Sequence, residues 1–173
     1  MAEGHRIIAL RPLTREAFAP FGQVVETEGA DHFDINDGTT TRFHDLAKVE
    51  TAGRAARTLV SIFRGRPFSL PVAIAMLERH PLGSQAFMPL SPRPSLAVVA
   101  RDDDGRPGEP RAFLVHPGDG LRGVNYGRNV WHHPLIALEA TSDFLVIDRG
   151  GSGNNLEEFL FEEPYVIGSL DSA

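Results

Sequence analysis

The chain has 173 residues, of which 42% are hydrophobic and 23% are charged, a composition typical of one globular domain with a hydrophobic core. Its 17 Lys and Arg against 23 Asp and Glu give a net charge of -6, which argues against sequence-independent binding to nucleic acid. The sequence has no cysteine, which excludes disulfides, thiolate nucleophiles and iron–sulfur clusters. Any metal must therefore bind His, Asp, Glu or an amide oxygen.

The sequence is rich in turn-forming residues, and it predicts a protein that does not cross a membrane. No stretch reaches the ~18 consecutive apolar residues of a spanning helix, and the first residues lack the apolar region of a signal peptide. We therefore expect a cytoplasmic protein. Its 17 Gly and 13 Pro interrupt the chain too frequently for long helices, so an all-β architecture is predicted.

One short helix is predicted near the start of the chain. Thr14 can cap a helical turn over residues 15–19, and Pro20 and Gly22 end it. Short β-favouring runs follow, separated by turn residues such as Asp37-Gly38, whose two residues suit the positive φ angles of a hairpin. The predicted strands are residues 23–26, 33–36, 41–49, 58–64, 73–80, 85–89, 95–101, 111–116, 123–126, 130–138 and 144–148.

The segment 73–80 is open to two interpretations. Its Ala, Met, Leu and Glu residues also favour helix, but Ile74, Met76, Glu78 and His80 recur every second residue and Pro81 follows at once. That spacing favours a strand. On a strand, Glu78 and His80 project from the same face.

Two further residues can join Glu78 and His80 at one site. Gln85 returns to the same place across the turn at residues 81–83, and His132 enters from a later strand. Two imidazoles, a carboxylate and an amide oxygen suit a divalent transition metal. The alternative is that Glu78 and Gln85 are solvated while His80 packs against Pro81. His133 must face away from His132 if both lie on one strand.

These residues resemble the two motifs of the cupin barrel family. Glu78-Arg79-His80, four residues and then Gln85 stand where the first motif has His-x-His and then Glu. Residues 125–132, which end in His132, resemble the second motif. Because Glu78 replaces a His and neutral Gln85 replaces an acid, weaker metal binding than in ordinary metal cupins is expected.

More narrowly, the chain resembles the ureidoglycolate lyase family. The resemblance implies a single cupin-like β-barrel domain over residues 1–173, with a short N-terminal helix, that forms homodimers. It also implies cleavage of (S)-ureidoglycolate to glyoxylate and urea in purine (allantoin) degradation. The segments that carry the resemblance are residues 13–18, 33–38, 42–47, 77–87, 123–126, 129–135 and 147–151.

That reaction needs a base for the substrate hydroxyl, a cation for its carboxylate and an acid for the departing urea nitrogen. A divalent metal (Ni, Zn or Mn) held by Glu78, His80, Gln85 and His132 can lower the pKa of the hydroxyl. Without a metal, His80 or His132 is the base. No nucleotide or organic cofactor is expected, because no Gly-rich phosphate motif precedes a helix.

Other residues are assigned to the small-molecule substrate. Arg64, if it faces inward, can hold the carboxylate in a bidentate fork, and a solvated Arg64 is the alternative. Tyr126 can donate to the ureido carbonyl or be a core tyrosine. Arg42, His44 and Asp148 either line the substrate or, for Arg42 and Asp148, form an ion pair.

Two other functions compete with the lyase. A metal-dependent cupin oxygenase or isomerase can use Glu78, His80 and His132 as a facial triad. A non-catalytic cupin that binds a small molecule, such as a sensor domain, is the second alternative. The chain offers no room for the DNA-binding or signalling segment that a sensor needs.

Overall fold

The computed structural model describes residues 6–116 and 121–170, which form one short helix and many strands. The helix α1 (Arg15–Phe18) begins where predicted, and the Thr14 side chain accepts a hydrogen bond from the Ala17 N–H. No helix in these ranges is long and apolar enough to cross a membrane. The first strands in the described part of the chain are β1 (Arg6–Ile7), β2 (Leu10–Pro12), β3 (Gly22–Glu26), β4 (His32–Ile35), β5 (Thr40–Phe43), β6 (Arg57–Gly65), β7 (Pro67–Phe68), β8 (Val72–Arg79) and β9 (Gln85–Pro89).

The second half of the chain is also built from strands, including the longest one. These are β10 (Ser95–Ala100), β11 (Asp102–Asp103), β12 (Arg106–Pro107), β13 (Arg111–Val115), β14 (Arg122–Tyr126), β15 (Trp131–His132), β16 (Ile136–Leu138), β17 (Ser142–Gly150) and β18 (Glu157–Ile167).

Two large sheets carry the fold. The nine-stranded sheet has the order β1-β18-β8-β15-β10-β13-β2, with β16 beside β10 and β7 beside β16, and the five-stranded sheet has the order β3-β14-β9-β17-β6. Two hairpins, β4–β5 and β11–β12, pair only internally in the described ranges. The all-β, cupin-like class is confirmed, and the strands form two sheets that are not joined into one closed hydrogen-bonded barrel.

Side chains from both sheets fill the space between them. The cluster includes Phe18, Phe113, Phe144, Val99 and Val146, which belong to α1 and to strands of both sheets. Strand β10 is buried on both faces, because its alternate residues join a second apolar cluster on the other face of the nine-stranded sheet. The two sheets are thus held face to face, and β8, β9 and β15 direct side chains into the gap between them.

Several strand boundaries differ from the prediction for identifiable reasons. The run 41–49 is strand only to Phe43, since Asp45 has a positive φ of 53°. The run 130–138 is divided into β15 and β16 around Pro134, which has no N–H to donate. The predicted segment 73–80 is observed as strand β8, which ends at Arg79, one residue before His80.

Gly22 is the position where the fold most depends on the absence of a side chain. Its φ is +144°, and an added Cβ would lie 1.9 Å from the Asn125 carbonyl oxygen. Gly22→Ala is therefore expected to lower the free energy of unfolding by at least about 2 kcal/mol, measured by urea denaturation. Gly38→Ala is the control: Gly38 also has a positive φ, but nothing lies within 4 Å of its added Cβ. Equal losses from the two variants would contradict this account of the β3–β14 contact.

Candidate active site

Strands β8 and β15 bring three of the predicted ligands together. Glu78 and His132 are directly opposite each other in the antiparallel β8–β15 pair, and His80 follows Glu78 by two residues. Neighbours across a ladder share a face of the sheet, as do alternate residues on one strand. The nitrogen and oxygen atoms that these three side chains offer all lie within 4.8 Å of one another.

Both imidazoles direct their Nε2 atom toward the Glu78 carboxylate. Glu78 Oε1 lies 3.6 Å from His132 Nε2 and 3.8 Å from His80 Nε2. The two imidazole rings are 5.1 Å apart between centroids. The His132 side chain is 2% exposed, so the group sits at the base of the site and not at its rim.

Each imidazole is oriented through its other nitrogen. His80 Nδ1 lies 2.7 Å from the Asn155 carbonyl oxygen, and His132 Nδ1 lies 2.9 Å from the Val130 carbonyl oxygen. A carbonyl can only accept, so both Nδ1 atoms carry a proton, and the electron pair of each ring in its neutral form is then on Nε2. The two Nε2 atoms are buried without a hydrogen-bond partner. Two free imidazole nitrogens and a carboxylate fit the coordination preferences of a divalent metal.

Asn155 also fixes the turn between Glu78 and Gln85. Its side-chain Oδ1 accepts a hydrogen bond of 2.8 Å from the Leu82 N–H, while its backbone oxygen orients His80. One loop residue therefore holds both the imidazole and the turn that follows it. Sequence reasoning missed Asn155, because a loop Asn carries no motif that marks such a role.

The electrostatic setting keeps Glu78 ionised. Burial by itself would raise the pKa of Glu78, but the nearby imidazole of His132, together with those of His80 and His133, holds that pKa below its usual value. Burial strongly raises the pKa of Tyr126, and the Glu78 charge adds to the effect. The Tyr126 ring is stacked on His132, 4.4 Å between centroids and 11° between planes. Its hydroxyl therefore stays protonated beside the triad.

Gln85 and Asp148 face the same gap from the five-stranded sheet. Gln85 is paired with Tyr126 across β9 and β14, and its amide nitrogen donates to Asp148 Oδ2 at 3.3 Å. The other oxygen, Asp148 Oδ1, is buried without a partner. Asp148 therefore pairs with Gln85, and no ion pair joins it to Arg42 in the described ranges.

A cavity of about 460 Å³ opens beside Glu78 and Gln85, and Phe63, Phe68, Arg64 and Arg66 lie along its walls. Arg64 does not face inward as the carboxylate-binding hypothesis required. Its Nε and Nη2 donate to Asp143 at 2.7 and 2.9 Å, and its side chain is 72% exposed. The physical reason is strand alternation: Phe63 packs against Phe87 between the sheets, so Arg64 turns outward.

Arg66 is a second arginine at this cavity, and sequence reasoning did not consider it. It lines the cavity, and no ion pair or hydrogen bond engages its guanidinium among the described residues. It lies between β6 and β7, outside any regular strand, so alternation along the sequence could not have predicted its direction.

The remaining candidates lie outside this group. Arg42 and His44 are exposed at the β4–β5 hairpin, where the Arg42 guanidinium is 5.8 Å from the Phe33 ring and His44 is 5.6 Å from the same ring. His133 lies beyond the end of β15, with Nδ1 near the Pro134 oxygen and its ring against Phe68. Burial lowers the pKa of His133. His133 is not part of the ligand group.

A family model and several known proteins match this chain over most of its length. Residues 5–168 match the family model described as ureidoglycolate lyase. A ureidoglycolate lyase from Brucella anthropi is 62% identical over 90% of each chain, and one from Rhizobium etli (strain CIAT 652) is 60% identical over 91% of this chain and 93% of the relative. A dTDP sugar isomerase from Desulfovibrio desulfuricans G20 aligns at a TM-score of 0.43 and 16% identity, over 83% of this chain and 87% of that one. With a family model that covers nearly the whole chain and relatives at about 60% identity, the chain belongs to the ureidoglycolate lyase family.

Proposed function

We propose that the chain cleaves (S)-ureidoglycolate to glyoxylate and urea, a step of allantoin degradation. Membership of the ureidoglycolate lyase family supports this activity. The observation that carries the proposal is the pair of unpartnered Nε2 atoms of His80 and His132 beside Glu78. They lie between the sheets, beside a cavity large enough for a small metabolite.

The substrate already contains the oxygen that the product aldehyde needs. One carbon carries a hydroxyl, a ureido nitrogen and a carboxylate. When the hydroxyl proton is removed, the C–O bond becomes a carbonyl as the C–N bond breaks, and the departing urea nitrogen takes up a proton. The reaction consumes no water and needs no nucleophile, which agrees with a chain that has no cysteine.

The imidazoles supply the base. With Nδ1 protonated, Nε2 of His80 or of His132 is free to accept the hydroxyl proton, and the Glu78 carboxylate 3.6 to 3.8 Å away stabilises the imidazolium that forms. A positioned base of this kind contributes roughly 10²–10⁴-fold to the rate.

The same three side chains would hold a divalent metal, Ni, Zn or Mn, with Gln85 as a fourth ligand on the wall of the cavity. A metal bound there would lower the pKa of the substrate hydroxyl. Tyr126, which stays protonated beside His132, is placed to donate to the ureido carbonyl. Asp148 holds the Gln85 amide in its orientation.

Arg66 takes the role that the sequence assigned to Arg64. The substrate carboxylate needs a cation with free N–H groups at the cavity, and Arg64 already donates two to Asp143. We also propose that the protein acts on a small molecule and that it forms a homodimer. Its cytoplasmic location stays a prediction from the sequence.

A metal-dependent oxygenase is the second candidate. Two imidazoles and one carboxylate in a single group are the ligand set of many iron oxygenases, and oxygen uptake during turnover would distinguish this function. Family membership favours an enzyme over the non-catalytic binding module.

The proposal is tested by identifying the products. Purified protein given racemic ureidoglycolate, without urease, is expected to release urea and glyoxylate in equal amounts from half of the substrate. Ammonia that appears before urea would show hydrolysis at the ureido carbonyl and refute the lyase. Repeating the assay after chelation and dialysis distinguishes an imidazole base from a metal-activated hydroxyl. Full activity without metal would show that an imidazole accepts the hydroxyl proton.

Arg66→Gln is expected to raise KM at least about tenfold with a smaller change in kcat, because the carboxylate contact is made in the ground state as well as in the transition state. Arg64→Gln is the matched control at the same cavity, and it should raise KM much less. A larger KM effect from Arg64→Gln would return the carboxylate to the residue that the sequence suggested. Steady-state kinetics on both variants measures the difference.

A further inference from the structure

Two crossings between the sheets meet beside His80. The first crossing, residues 80–84, leads from β8 to β9, and the second crossing, residues 151–156, leads from β17 to β18. Each joins the nine-stranded sheet to the five-stranded sheet. The crossings are in contact at Asn155, which accepts hydrogen bonds from His80 Nδ1 and from the Leu82 N–H. The direction of the His80 imidazole therefore depends on where the second crossing lies.

A buried arginine, Arg149, anchors the second crossing. Arg149 is the last residue but one of β17, and it is 6% exposed. Its Nη2 donates to the Ser152 carbonyl oxygen at 2.7 Å, and its Nε donates to the Ala52 carbonyl oxygen at 2.7 Å. Ser152 precedes Asn155 by three residues, so the bond to Ser152 restrains the path of the chain that reaches His80.

The segment between β5 and β6, residues 44–56, joins the same cluster of contacts. The N–H of Ala52 donates to the Leu82 carbonyl oxygen at 2.8 Å. The Arg54 carbonyl oxygen accepts from the N–H and from the Oγ of Ser152, at 3.2 and 3.0 Å. Arg149 thus holds the second crossing directly and is connected to the first crossing through Ala52.

The surroundings of Arg149 leave no spare room and supply no counter-charge. A Cβ added at Gly83 would lie 2.5 Å from Arg149 Cβ, and one added at Gly151 would lie 2.9 Å from Arg149 Nη2. No carboxylate forms an ion pair with Arg149 among residues 6–116 and 121–170. Burial of a charge is unfavourable unless hydrogen bonds replace its lost hydration. The two carbonyl contacts are therefore the interactions that keep this guanidinium inside.

We propose that Arg149 is a positioning residue for His80, because it holds the second crossing, and with it the Asn155 carbonyl, where that carbonyl accepts from His80 Nδ1. This inference rests on the proposed function, which gives the free Nε2 of His80 a role as base or metal ligand. Arg149 acts from outside the site. Adjacent strand residues face opposite ways, and its neighbour Asp148 is the one that faces the gap between the sheets.

The second imidazole provides an internal comparison. His132 is oriented by the carbonyl oxygen of Val130, and neither hydrogen bond of Arg149 reaches that part of the chain. Loss of the guanidinium should therefore disturb His80 and leave His132 as it is. A general loosening of the fold would disturb both rings.

NMR of the histidine ring nitrogens tests this difference. In the full chain, isotope-labelled at histidine and dialysed against a chelator, we expect a proton on Nδ1 of both His80 and His132. Arg149→Met keeps an unbranched side chain that cannot donate, and it should give His80 a second population with the proton on Nε2. Arg57→Met is the matched control, since Arg57 is exposed and is paired with Gly150 across β6 and β17. It should leave both rings unchanged.

Steady-state kinetics connects the ring to the reaction. For Arg149→Met we expect kcat to fall at least about tenfold, as is typical when a group that orients a ligand is lost. KM should change less than about threefold, because the carboxylate contact of Arg66 is untouched. Arg149→Lys keeps the charge and can reach only one of the two carbonyls, so it should give intermediate results. It also provides the test if circular dichroism shows that Arg149→Met does not fold.

Three outcomes would overturn the proposal: a His80 ring that is unchanged in a folded Arg149 variant, equal changes in His80 and His132, or an altered His80 with native kcat. The spectra are recorded without substrate. An unchanged His80 in a variant that still releases urea refutes this role of Arg149 and leaves the lyase standing, whereas native protein that releases no urea refutes the lyase itself.

Discussion

Main-chain carbonyls on the Nδ1 side of His80 and His132 determine what this site can do. Because Asn155 and Val130 each accept from one ring, these hydrogen bonds favour the orientation in which both Nε2 atoms are directed at Glu78. The direct pairing of Glu78 with His132 across β8 and β15 supplies the carboxylate. A rotated ring would leave a buried N–H without an acceptor. The same hydrogen bonds therefore set the orientation of each imidazole and make its Nε2 available as a ligand.

The rest of the fold serves that arrangement. β10 is buried on both faces and holds β15 in place through Val99, which is paired with His132. The five-stranded sheet closes the other side of the gap and contributes Tyr126, which packs flat on His132. The triad is thus largely buried, and the cavity beside Glu78 gives a small molecule an approach to it.

Alternation on strands explains how far the sequence could predict this site. The period-two rule placed Glu78 and His80 on one face of β8, and that strand formed as expected. The same rule explains why Arg64 faces outward: its neighbour Phe63 takes the inward position. Arg66 and Asn155 could not be predicted, since they lie outside regular strands, where no repeat fixes the direction of a side chain. The long strand β18 was missed because its four Glu and Pro164 depart from β-favouring composition, and a register shift between Leu160 and Tyr165 accommodates that segment.

We infer that Glu78, His80 and His132 form one ligand-binding centre within the chain. Equilibrium dialysis of metal-stripped protein against Ni²⁺, followed by elemental analysis, tests it most directly when His132→Ala and His133→Ala are compared. These neighbours differ in that only His132 belongs to the ligand group. The account predicts one Ni²⁺ per chain in the native protein and in His133→Ala, and at least about a tenfold loss of affinity in His132→Ala. Equal binding by the two variants, or no binding by the native protein, would contradict it.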